Sequence, residues 1–63
     1  MEKVVIAIQK LEPNYQDVVM MRFVEDLSIK ETAKAIGKSE GATKLLQHRA
    51  IKRLKELLQI NEV

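Results

Sequence analysis

The chain has 63 residues and no cysteine, with 11 lysines and arginines against 9 aspartates and glutamates for a formal charge of +2. A chain of this size makes one small domain that buries only about 60% of the surface its unfolded form exposes, and without cysteine it has neither disulfide staples nor thiolate-held zinc to compensate. The longest uninterrupted apolar run, Val4 to Ile8, falls far short of the roughly 20 residues that span a bilayer, so a cytoplasmic protein is expected.

Val4, Val5, Ile8 and Leu11 recur at helical spacing and predict a short amphipathic first helix. It ends near Glu12, because the residue before a proline is pushed out of the helical region. Pro13 suits the first position of a second helix, where a missing N–H costs nothing. Val18, Val19, Met21 and Phe23 are expected to supply most of that helix's apolar surface through about Val24. Glu25-Asp26 then reads as a polar turn.

Ser28-Ile29-Lys30-Glu31 is a capping box, in which the serine accepts from the N–H three residues on while the glutamate reaches back. A third helix therefore starts there, with Ala33 and Ile36 facing inward. Gly37 stands where a left-handed helix end needs a residue without Cβ. Ser39 is a second N-cap, so about three residues separate two helices; a helix, a tight turn with glycine and a longer helix make the helix-turn-helix arrangement. The expected fold class is all-α: one four-helix domain over residues 1–63, without strands, wing or repeats. Alanines 33, 35, 42 and 50 are small enough to let its helices cross closely.

The last helix, Ser39 to Leu58, organises the rest. Turning about 100° per residue, Thr43, Leu46, Ala50, Leu54, Leu57 and Leu58 fall on one arc with Ile51 at its edge. Lys44, Leu45, His48, Arg49, Lys52 and Lys55 fall on the opposite one. Charge is divided too: Met1 to Leu27 carry five acids and three bases, Ser28 to Val63 eight bases and four acids. The basic half is where a polyanion would bind. An ordinary solvated face could show the same pattern. Ile51 to Ile60 could also lie on a membrane surface, but its leucines are needed to cover the first two helices.

Other chemistry finds no support. His48 is the one histidine, no carboxylates stand around it at ligand spacing, no serine has an adjacent base, and no glycine-rich loop could cradle a phosphate. A binding protein is expected, with no catalytic residue, metal, cofactor or small-molecule substrate.

Leu11, Pro13 and Tyr15 form L-x-P-x-Y; Val18-Val19-Met20-Met21-Arg22-Phe23, Leu27-Ser28, Ala33, Ile36-Gly37, Ser39-Glu40-Gly41-Ala42-x-Lys44, His48-Arg49-Ala50 and Leu54 follow in order. Over Leu11 to Leu58 this string resembles region 4 of bacterial sigma factors, the C-terminal promoter-reading region, especially in the extracytoplasmic-function group. The resemblance implies a four-helix domain that lays its last helix in the major groove of double-stranded DNA at the −35 promoter element. It also implies docking on the β-subunit flap of RNA polymerase and masking by an anti-sigma factor. Carried over by position, Lys44, Leu45, His48 and Arg49 take the base- and phosphate-facing places of the reading helix. Arg22 takes a DNA-contacting place on the second helix, and Lys38 with Ser39 lies where the chain meets the DNA backbone. Lys52 is expected on a phosphate.

Each role has a physical basis. Arg49 can donate two bonds to guanine O6 and N7, Lys44 can donate to a base or phosphate, and Leu45 can offer an apolar surface to a thymine methyl. His48 can donate or stack, and Ser39 with the helix-start N–H groups favours a phosphate oxygen. The chain also departs from the family. Thr43, Leu45, Leu46 and Gln47 stand where relatives often carry valine, a small polar residue, arginine and an aliphatic residue. Leu46 is expected to take over core packing from position 47, leaving Gln47 at a helix boundary, and Thr32, at a place where isoleucine is common, to thin the core. Two rivals remain at this level. One is a LuxR-type response-regulator domain, which shares a Leu-Ser-x-x-Glu-x-Ala string but not the extended basic tail. The other is a protein-interaction module that binds RNA polymerase or an anti-sigma factor.

Overall fold

In the computed structural model, residues 2–58 are described. Four α-helices follow one another with no strand among these residues: α1 (Glu2–Gln9), α2 (Pro13–Val19), α3 (Ile29–Ile36) and α4 (Glu40–Leu58), with α2 continuing into a π-helical turn over Met20–Val24. α4 is the spine, packed chiefly against α2 and also against α3 and α1. None of these helices is long and apolar enough to cross a membrane. Met1 and residues 59–63, including the Ile60 end of the considered membrane-surface stretch, lie outside the described residues.

α1 stops at Gln9, short of the expected Glu12, because the chain tightens first: Leu11 N–H donates back three residues to the Ile8 carbonyl at 3.1 Å. Gln16 Nε2 donates a second bond to that same carbonyl at 3.0 Å, which ties the end of α1 to α2. Only one turn of α1 meets the body of the protein. Ala7 and Leu11 are buried, whereas Val4, Val5 and Ile6 are 37%, 47% and 49% exposed. Of the expected stripe, Ile8 and Leu11 therefore stay inward, while Ala7 takes the place of Val4 and Val5.

The π turn changes the second helix in a way the apolar spacing did not foresee. Glu25 N–H donates to the Met20 carbonyl five residues back at 2.9 Å, and Leu27 N–H to the Met21 carbonyl at 2.8 Å. A wider turn rotates the next residues off the 3.6-residue period. Phe23, expected among the residues of this helix's apolar surface, is 55% exposed and Val24 60%. Asp26 closes the segment with φ 63°, a left-handed conformation that aspartate tolerates better than most residues.

The capping box of α3 is made in both directions, Glu31 N–H to Ser28 Oγ at 3.0 Å and Ser28 N–H to Glu31 Oε1 at 2.8 Å. The hydrogen bond from the Ser28 backbone, and then that with its side chain, holds the Glu31 carboxyl below its ordinary value. Gly37 ends α3 at φ 71°, and Lys38 N–H reaches back to the Ala33 carbonyl at 3.0 Å, closing the left-handed helix end.

The buried centre is small: Leu11, Val18, Val19, Ala33 and Ala50, with Thr32 and Thr43 fully enclosed. Ile8, Tyr15, Leu54 and Leu57 pack at its edge. Ala33 and Ala50 lie at helix crossings as expected, but Ala35 and Ala42 are exposed on outer faces. Thr32 has a buried hydroxyl with no hydrogen-bond partner, so the residue expected to thin the core also leaves a polar atom stranded in it.

Candidate nucleic-acid interface

The interface is built on the turn between α3 and α4. Gly37, Lys38 and Ser39 reverse the chain, and Ser39 Oγ accepts from Ala42 N–H at 3.0 Å. The cap uses the oxygen and leaves the hydroxyl proton to donate outward. Thr43 Oγ1 donates to the Ser39 carbonyl at 2.8 Å, which satisfies this buried hydroxyl and ties the start of α4 to its own first turn. Thr43 and Ala50, both 0% exposed, then fix which side of α4 faces the core.

Every expected contact residue of α4 follows from that rotation. Lys44, Leu45, His48, Arg49 and Lys52 are all exposed, on the side away from Thr43 and Ala50, with Lys38 and Ser39 exposed at the turn. Leu45 is 49% exposed, an apolar patch among cations. None of these cations forms an ion pair within 4 Å among the described residues; the pairs found are Arg53 with Glu12 at 3.5 Å and with Glu56 at 3.6 Å. Those two lie at the surface and contribute little to stability. They do mark where the cationic surface ends, since Arg49 and Lys52 share a hollow of about 250 Å³ with Glu12, Tyr15, Arg53 and Glu56.

Arg22 is placed differently from the rest. It sits half-buried in the π turn, where Nε donates to Gln47 Oε1 at 2.7 Å and Nη1 to the Leu27 carbonyl at 2.6 Å. Its guanidinium also stands 5.8 Å from the Phe23 ring centroid, near the outer limit of a useful cation–π contact. The structure thus joins Arg22 to α4 through a residue outside the expected contact set. Gln47 was anticipated at a helix boundary. Its partner, 25 positions away, depends on tertiary packing that no local pattern encodes. A polar residue on the inward arc of an amphipathic helix was the one available signal. Leu46, expected to take over core packing, is half-buried beside it and lines a surface hollow with Met21 and Ile36.

Residues 7–56 match the family model for Sigma-70, region 4. The chain belongs to the sigma-70 region 4 family. It is similar to the ECF RNA polymerase sigma factor BldN of Streptomyces coelicolor, with 48% identity over 52 residues, 82% of this chain and 20% of that protein. It is also similar to the RNA polymerase sigma-E factor of Streptomyces antibioticus, with 40% identity over 57 residues, 90% of this chain and 32% of that one. A chain of the solved RsbN–BldN complex matches with a TM-score of 0.87 and 43% identity, over 89% of this chain and 41% of its own length. The chain therefore spans about a fifth to a third of these curated relatives. Family membership sets aside the response-regulator rival and agrees with the four-helix, strandless architecture.

Proposed function

We propose that this chain reads double-stranded DNA at the −35 promoter element as region 4 of a sigma factor, with α4 in the major groove. In this reading residues 1–63 work as one DNA-binding unit in the cytoplasm, with no catalysis of their own and no small-molecule substrate. The observation that carries it is the face of α4 bearing Lys44, His48, Arg49 and Lys52, exposed on the second helix of a helix-turn-helix and without ion-pair partners among the described residues. A helix fits the major groove, and the N-terminal part of such a helix reaches base edges. Lys44, Leu45, His48 and Arg49 are assigned to bases and nearby phosphates, and Arg22, Lys38, Ser39 and Lys52 to the DNA backbone.

The test is selection against random duplexes, followed by fluorescence anisotropy on the winner and a scrambled control. A reproducible motif, favoured at least about tenfold over the control and lost in Lys44→Ala and Arg49→Ala, is the expected result. Arg49→Ala should cost about 1–3 kcal/mol and relax discrimination at one base pair if it reads guanine. An equal loss on every duplex would make it a phosphate contact. Selection that yields no motif, with binding that vanishes at physiological salt, would sink the reading.

A second surface supports protein partners of the same unit, the β flap of RNA polymerase and an anti-sigma factor. Val5, Ile8, Met20 and Val24, with Gln9, Gln16 and Asp17, line a groove of about 440 Å³ between α1 and α2. An apolar groove rimmed by polar groups suits an amphipathic helix. It lies apart from the cation-bearing face of α4, so the two surfaces do not compete for residues.

A further inference from the structure

We infer that Gln47 is a positioning residue that holds the Arg22 guanidinium in place for a DNA phosphate. The inference rests on the DNA-reading assignment above and adds to it a residue that faces no base or phosphate itself.

Two neutral acceptors from two different segments pin Arg22: the Gln47 side-chain oxygen at 2.7 Å on Nε, and the Leu27 carbonyl at 2.6 Å on Nη1. No carboxylate stands within ion-pair distance of it among the described residues. This choice of partners matters. A carboxylate on the guanidinium would neutralise the cation, whereas an amide and a carbonyl orient the fork and leave its full charge. Arginine has five N–H donors, so three remain to meet an external anion after these two bonds. An anion with two oxygens, such as a phosphate, takes such a fork with both bonds at once.

The backbone around Arg22 is shaped for the same purpose. The π turn of Met20–Val24 takes Arg22 out of the register of α2, and Leu27, which supplies the second acceptor, directly precedes the Ser28 cap of α3. Gln47 lies one residue before His48 on α4. The guanidinium therefore joins α2, the approach to α3 and the reading helix, and orders a long side chain before any DNA arrives. Ordering in advance removes an entropy cost from binding. Affinity therefore gains from Gln47, although Gln47 adds no charge.

The test uses the wild-type chain and the variants Gln47→Leu, Gln47→Ala, Gln47→Glu and Arg22→Ala, each first checked by circular dichroism for helix content. In nitrogen-15 spectra of the free protein, the Arg22 Nε–H should exchange slowly with water. That protection should disappear in Gln47→Leu and in the smaller Gln47→Ala, and persist in Gln47→Glu, which keeps an acceptor. On the selected duplex, Gln47→Leu should bind about three- to tenfold more weakly, the worth of one hydrogen bond. The slope of log affinity against log salt should stay unchanged, because the cation remains. Arg22→Ala should lower that slope by about 1, and adding Gln47→Leu to it should bring no further loss.

Undiminished affinity in both Gln47→Leu and Gln47→Ala would overturn the inference. So would an unprotected Nε–H in the wild type, or an equal loss when Gln47→Leu is added to Arg22→Ala. If the wild type binds no duplex selectively, it is the DNA reading that fails. The Nε–H measurement then still reports whether the tie exists, so the two failures can be told apart.

Discussion

At the scale of single residues, two buried hydroxyls in the same small core have opposite standing. Thr43 Oγ1 bonds the Ser39 carbonyl at 2.8 Å, while Thr32 Oγ1 has no partner. A buried hydroxyl without a hydrogen bond costs about 1–3 kcal/mol relative to a satisfied one. Thr32→Val keeps the branched shape and removes the stranded oxygen, so it should stabilise the domain by about 1 kcal/mol. In a domain of this size that is worth about 4–8 °C in the thermal midpoint. The same change at Thr43 should destabilise it. Calorimetry of the two variants side by side decides the point, and a lower midpoint for Thr32→Val would mean that its hydroxyl is in fact satisfied.

At the scale of elements, punctuation decided where helices begin and end. Gly37 adopts φ 71°, and a Cβ built on it would meet nothing within 4 Å, so a larger residue there suffers from backbone strain alone. Gly37→Ala should therefore cost about 1–2 kcal/mol, read from urea denaturation. Gly41, which also has open space around it but an ordinary helical backbone, should accept alanine without that loss. This is also why the helix-turn-helix was legible in the sequence. The Ser28–Glu31 box, Gly37 and the Ser39 cap act through bonds to neighbours three to five residues away, and such short-range chemistry is written in order along the chain. The register of α4 was legible for a related reason, since a 19-residue helix repeats its apolar spacing often enough to fix a face. α1 has eight residues and apolar groups on several sides, so spacing could not say which of Val4, Val5, Ala7 and Ile8 would meet the body. The π turn was invisible because one inserted residue shifts the period, and Phe23 was assigned inward on a period that had already lapsed. Gln47's tie to Arg22 lay beyond reach for a third reason: it joins segments that only the folded packing brings together.

At the scale of the whole molecule, charge and core are divided between the two sides of one helix. The lysines and Arg49 proposed to meet DNA lie on solvent, with Arg22 half-buried beside them, so affinity should fall steeply with salt, with log K dropping by about 0.9 per phosphate contact for each unit of log salt. Lys52→Ala should weaken every duplex alike and lower that slope by about 1, measured by anisotropy over a salt series. A changed sequence preference would instead put Lys52 on a base. The opposite side of α4 packs against α1, α2 and α3, so the helix assigned to DNA is also the one on which the fold is assembled. That double duty makes the seating of α4 at Thr43 and Ala50, both 0% exposed, matter to the whole helix. At about 1.5 Å of rise per residue, the arm from Ala50 to Glu40 is about 15 Å long, and a tilt of about 5° would swing its tip by about 1.3 Å. That displacement exceeds the whole span of good hydrogen-bond lengths, about 0.5 Å. A bulkier side chain at Ala50 that pushed α4 off the core would therefore misplace the far end of the helix, the end proposed to enter a groove that Ala50 itself never touches.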